Sequence, residues 1–168
     1  MAEYLQFILL DEKGVERNVK MNKDDPDEVY LWKVKHSRGL LKNPYWKRCV
    51  NNESHGYYSI AVGHKYYKKH RVCYYAHNPE WNIYDSSRDN SIDHIDRNRT
   101  NNHITNLRVA THSQNKENNV AKGYYHDKSK NRWYARVQKH GKIYNKYCKT
   151  EEEAILAREK LKAKYHTF

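Results

Sequence analysis

The chain has 168 residues and a formal net charge of +12, and sixteen of its apolar side chains are tyrosines. Aliphatic residues for one large core are therefore scarce, and two or three small cores are expected. So much positive charge points to a polyanionic partner, and with no long apolar run or amphipathic basic helix a membrane partner is excluded from the expectation.

The charge is unevenly spread. Residues 1–37 hold six Lys/Arg against eight Asp/Glu, and residues 38–168 hold twenty-six against twelve. Cys49, Cys73 and Cys148 are far apart and form no Cys-x-x-Cys pair, so neither structural zinc nor a disulfide framework is expected. The N-terminus lacks a basic-then-apolar leader, which gives a cytosolic expectation.

In chain order, 1–19 reads as a hairpin turning at Asp11–Gly14, and 23–28 as an acidic loop containing Pro26. A strand at 29–34 followed by basic loop material is expected next. Residues 1–55 are left either as a DNA-contacting lobe or as packing. Residues 57–62 and 66–72 read as two antiparallel strands joined at Gly63-His64, with a short helix beginning near Arg71. After a polar loop at 78–90 come a strand at 91–94, a loop at 96–106, a strand at 107–110 and a helix at 112–119 capped by Thr111 or Ser113. A polar junction at 118–122 is the predicted boundary. Beyond it, strands at 123–127, 132–139 and 142–149 turn at 129–131 and at His140-Gly141. Thr150–Glu153 reads as a capping box, and Ala154, Ala157, Leu161 and Tyr165 follow as one apolar stripe.

The chemistry concentrates between Ser91 and Asn115. Asp93 and Asn115 offer one carboxylate and one amide oxygen, a hard donor pair suited to Mg²⁺ or Mn²⁺. His94, neutral at pH 7, can take a proton from water. Adjacent strand residues point to opposite faces, so Asp93 and His94 share a site only if the strand ends there. On spacing alone an Asp-His pair in an Asn-rich stretch is more often an ordinary turn than a catalytic site. His70 and Arg71 are either phosphate contacts or a satisfied strand-end pair.

The series Asp93-His-Ile-Asp-Arg-Asn98, Asn101-Asn102-His-Ile-Thr-Asn106-Leu-Arg108 and Ser113-Gln-Asn115 resembles the HNH (ββα-metal) endonuclease motif, nearest to the phage and intron homing branch. The resemblance covers about 56–119. It implies His94 as general base and Asp93 and Asn115 as metal ligands. Asn106 becomes the asparagine that orients the histidine and ties the loop. Arg71 is included among the catalytic residues. Many relatives place a histidine where this chain has Asn115, and His112, one helical turn away, is a substitute ligand, a phosphate contact or an exposed helix-start residue.

Between Lys122 and Lys149 stand nine Lys/Arg and one acid, Asp127. Alternation puts Arg132, Tyr134, Arg136 and Gln138 on one face of a strand, and Trp133, Ala135 and Val137 on the other, toward the helix. The first face suits phosphates and base edges. Lys142 and Lys146 are assigned to the same DNA surface. Gly123-Tyr-Tyr, Asn131-Arg-Trp-Tyr-Ala-Arg136, Gly141-Lys142 and Thr150-Glu-Glu-Glu-Ala154 resemble the plant APETALA/ethylene-response-factor DNA-binding domain over about 122–167.

The expectation is an α+β protein with three parts: 1–55 of open role, 56–119 a ββα-metal nuclease, and 120–168 a three-stranded sheet plus helix. The implied cofactor is Mg²⁺, with Mn²⁺ substituting. The implied partner is double-stranded DNA, met as monomer or homodimer, and the resemblance places the protein in a phage-infected bacterial host. A DNA-binding protein on a decayed nuclease scaffold and a restriction or host-DNA-degrading nuclease stay open as alternatives.

Overall fold

A computed structural model describes residues 2–36, 39–118, 121–139 and 141–166. Met1, Asn119, Val120 and His140, which fall within the predicted hairpin, helix, junction and turn, lie outside the described residues. Among the described residues the fold is α+β, with mostly antiparallel sheets and three α-helices, and the chain divides into two compact units, 1–109 and 110–168. No helix among the described residues is long and apolar enough to cross a membrane.

The first unit opens with a four-stranded sheet in the order β1(Tyr4–Leu10), β2(Glu16–Asn22), β3(Val29–His36), β4(Gly39–Arg48). The last strand is where basic loop material was expected. Pro44 cannot donate to a ladder, and β4 accommodates it by lying at the sheet edge, where exposed Lys42, Lys47 and Arg48 also sit. A second sheet joins β5(Asn52–Ser54), β6(Tyr57–Val62) and β7(Lys65–Lys68).

Chain direction changes sooner than the 66–72 strand predicts, because α1 runs Lys69–His77. Its buried Lys69, His70, Val72 and Cys73 recur at helical spacing. Lys69 is fully buried, with its ammonium donating to Asp27 Oδ1 and, at 2.9 Å, to Asn51 Oδ1. An ammonium out of water requires such partners.

Leu9, Val19, Met21, Val29 and Leu31 share one core with Ile60, Val62, Val72, Cys73, Ile83, Ile92 and Leu107. Residues 1–55 therefore pack against the strands and helix that follow them. The short strands β8(Ser91–His94) and β9(Leu107–Ala110) pair as a two-stranded sheet, with a 3-10 turn at Ile104–Asn106 before β9.

The second unit contains α2(His112–Glu117), the sheet β10(Tyr124–Asp127), β11(Arg132–Lys139), β12(Lys142–Cys148), and α3(Glu151–Tyr165). Thr111 caps α2 with a full capping box to Gln114. At α3 only half of the predicted box forms: Thr150 accepts from the Glu153 amide, but Glu153 Oε2 reaches the Lys149 amide instead of returning to Thr150. Ala154 and Ala157 pack against Ala135 and Cys148, flanked by Tyr124, Trp133 and Leu161, and Tyr165 stacks on Tyr144 at 3.8 Å. Gly123, at φ +65°, lies so close to Arg158 that a Cβ there would sit 1.9 Å from its Nε.

Candidate functional site

β8 ends at His94, and the chain turns at once: the Arg97 amide donates to the His94 carbonyl, with Arg97 itself at φ 66°. A non-glycine residue in that region is uncommon and fixes a tight reversal. Asp93 and His94 are both buried, at 6% and 4% exposure, and their described partners differ. Asp93 Oδ2 accepts from Arg108 Nε and Nη2 at 3.1 and 3.0 Å, a pair formed across the β8–β9 sheet.

The His94 ring sits with His70 and Tyr57, at centroid separations of 5.1 and 6.1 Å. Its Nε2 lies 3.2 Å from Asn102 Oδ1. The Asn102 amide is oriented by its own Nδ2, which donates to the Thr100 carbonyl at 3.1 Å. With an oxygen facing it, Nε2 carries the ring proton and Nδ1 the basic lone pair. Burial pushes the His94 imidazole below its ordinary pKa, partly offset by the Asn102 hydrogen bond and the Asp96 charge. His70 is pushed down to about 3, chiefly by burial and then by the charges of His94 and Arg71. Both rings are therefore neutral at pH 7.

Asn106 was expected to orient the histidine and to tie the loop. Its side chain does the second: Oδ1 accepts from the Asp96 amide at 3.0 Å, and Nδ2 donates to Asp96 Oδ1 and the Asn101 carbonyl, each at 2.9 Å. Asn102, 3% exposed, makes the described ring contact. Sequence reasoning passed over it because Asn98, Asn101, Asn102 and Asn106 crowd one loop, and spacing does not say which amide reaches the ring.

Arg71 also has a different task from the one expected. Nη1 donates to the Asn90 carbonyl at 2.8 Å, Nη2 to the Ile83 and Asp85 carbonyls at 2.8 and 2.7 Å, and the guanidinium lies over Trp81. Three carbonyls and a ring engage the guanidinium, which ties it to the 78–90 loop. Near His94 the cations over Tyr57 are Arg99 and Lys68, 4.9 and 5.5 Å from the ring centroid.

Asn115 is exposed on α2 in the second unit, as is His112. No cluster of three His, Cys, Asp or Glu side chains fit for a metal ion occurs among the described residues. The donor chemistry nonetheless fits a hard divalent cation, which binds oxygen ligands and retains water. Asp93 supplies a carboxylate at a strand end, and a cation there would share that carboxylate with Arg108.

On the second unit's sheet, Arg136 and Gln138 are exposed and Ala135 and Val137 buried. Tyr134 lies between Tyr125 and Tyr147, at 5.5 and 6.3 Å, and Arg132 stacks 3.8 Å over Tyr147. The register corrects two assignments. Lys146 pairs with Ala135 and Lys142 with Lys139, and directly paired residues share a face. Both lysines therefore lie on the helix side of the sheet, away from Arg136, while Ile143, Asn145 and Tyr147 share the outer face.

No curated protein and no solved structure matches the chain. A family model described as HNH endonuclease matches residues 67–117, from the end of β7 to the end of α2. HNH nucleases generally use divalent metal ions and act on DNA. Residues 67–117 are thus similar to an HNH endonuclease domain, which supports a nuclease function for the chain.

Proposed function

We propose that the chain is a divalent-metal-dependent DNA endonuclease of the homing type, which hydrolyses a phosphodiester with water activated by His94. The observation that carries this reading is the His94 ring, buried within the HNH-matched segment with Nε2 fixed on Asn102. Nδ1 takes the proton of the attacking water as its oxygen bonds to phosphorus. The P–O3′ bond breaks, leaving a 5′-phosphate, and the 3′ oxygen acquires a proton from solvent. Asn102 Oδ1, accepting from Nε2, favours the imidazolium that forms. Asp93 would supply a carboxylate to a divalent cation, which would provide charge neutralisation at the phosphate and leaving oxygen. Arg99 and Lys68 draw the backbone toward the ring.

The outer face carrying Arg132, Tyr134, Arg136 and Gln138 grips double-stranded DNA, with Arg136 and Gln138 the exposed members. One site per chain cuts one strand per visit, so a double-strand break requires a homodimer or a second binding event.

One observation favours a binding protein that does not cut: Arg108 holds Asp93 Oδ2 through two nitrogens, which opposes metal entry. Incubation of supercoiled plasmid with the wild-type protein in Mg²⁺ or Mn²⁺ separates the two readings. The endonuclease reading expects nicked or linear product, abolished by EDTA. DNA that is bound but never cut with either metal would establish the binding-protein reading instead.

A further inference from the structure

The four-stranded sheet buries one face in the first core and presents the other. On the presented face the register sets Trp32 opposite Trp46 and Tyr30 opposite Arg48. Tyr4 and Tyr30 meet edge to face at 6.0 Å, and Trp32 and Trp46 lie 5.1 Å apart. All four rings are half-buried and none belongs to the core. Lys20 reaches across them, its ammonium 4.6, 5.1 and 5.0 Å from the rings of Tyr4, Tyr30 and Trp46.

The charge here reverses the acidic balance of the N-terminal region. Residues 29–50 contain Lys33, Lys35, Arg38, Lys42, Lys47 and Arg48 and no Asp or Glu. The acids near the face are largely engaged: Glu28 accepts from the Tyr4 hydroxyl and from Asn22, and Glu3 pairs with Lys23. Glu16 is exposed at the far end of β2.

We propose that this sheet face is a second DNA site, which takes unpaired bases of a single strand on Trp32 and Trp46. A duplex presents phosphates to a flat face and keeps its bases stacked internally, which would leave the rings without partners. A single strand offers a π-face from every base and a phosphate between each pair, and rings interleaved with cations match both. Lys20, on a flexible stem, exchanges the rings for a phosphate as a base arrives. The inference rests on the proposed function only in taking DNA as the ligand.

The test measures affinity of the full-length protein in EDTA for an oligothymidylate of about 20 nucleotides, long enough for a typical single-strand site, and for a duplex of equal length. Wild type is compared with Trp46→Ala and with Trp46→Leu, which keeps bulk but removes the π-face. Both variants are expected to lose about tenfold or more on the single strand and less than about twofold on the duplex. Equal losses on both ligands, or no loss on either, would overturn the proposal; the first result makes the face a duplex contact, the second removes it from DNA binding. Trp46→Leu separates a lost stacking surface from a fold that Trp46→Ala has loosened. Single-strand binding through this face by a protein that cuts no plasmid would sink the endonuclease reading and leave this one standing.

Discussion

The two units bury different kinds of residue. The first holds thirteen buried apolar side chains in one cluster, and with them the polar Asp11, Lys69, His70, Asp93, His94, Asn102 and Asn106. The second holds a cluster of four, Ala135, Cys148, Ala154 and Ala157, and Glu117 is its one buried charged residue among those described. A larger core can enclose polar groups and hold them in fixed partnerships, which is what acid–base chemistry requires. The thin sheet-on-helix unit keeps Arg136, Gln138 and Tyr147 at the surface, where they can bind, while burial lowers the pKa of its Arg158 and His166. In this account the first unit contributes proton transfer and the single-strand face, and the second contributes duplex contact.

The largest effect that sharpens this contrast, after loss of the base itself, is expected at Asn102. Asn102→Ala should lower the cleavage rate by about tenfold to a hundredfold, from misorientation of the base. The pH profile distinguishes this from mere destabilisation. A base works in its neutral form, above its pKa, and the Asn102 hydrogen bond raises the His94 pKa. Its removal should therefore move the acidic limb of the rate profile to lower pH even as the plateau falls, whereas Asn102→Asp should move that limb upward. An unmoved limb in both variants would mean that Asn102 is only structural.

A smaller effect is expected at Arg136. Arg136→Ala should weaken duplex binding about fivefold to tenfold without changing the single-turnover rate at saturating protein. A fall in that rate at saturation would place Arg136 in the chemistry and blur the division between the units.

The smallest effect is in acid stability. The His70 pKa, about 3 in the folded chain against an ordinary 6.5, favours the neutral ring, so the folded state gains from it above pH 6.5 and loses that gain as pH falls toward 3. Replacing His70 with Phe should flatten the dependence of melting temperature on pH across that window. An unchanged slope would assign the acid sensitivity to other groups.

Much of this was legible in the sequence. Strict alternation set the faces of β11, and the short segments at 91–94 and 107–110 were read as the strands β8 and β9. The stripe from Ala154 to Tyr165 became the packed and stacked face of α3. Other features depend on partners distant in the chain. A buried lysine at 69 cannot be read without Asp27 and Asn51, which neutralise it. β4, with its proline and cations, reads as loop until β3 supplies a ladder. Lys142 and Lys146 look like neighbours of Arg136 until the β11–β12 register sets them on the other face. Asn106 ties the loop as expected, but the described contact to the His94 ring comes from Asn102, since four asparagines in one loop are told apart by the turn at Arg97 and not by type.

The central claim is that His94 transfers the proton while DNA is held elsewhere. Duplex affinity and single-turnover cleavage measured side by side on wild type and His94→Ala, with Mg²⁺, test it most directly. The account predicts that His94→Ala binds within about twofold of wild type and cuts at least about a hundredfold more slowly. Undiminished cutting by His94→Ala, or a loss of cutting matched by an equal loss of binding, would contradict it.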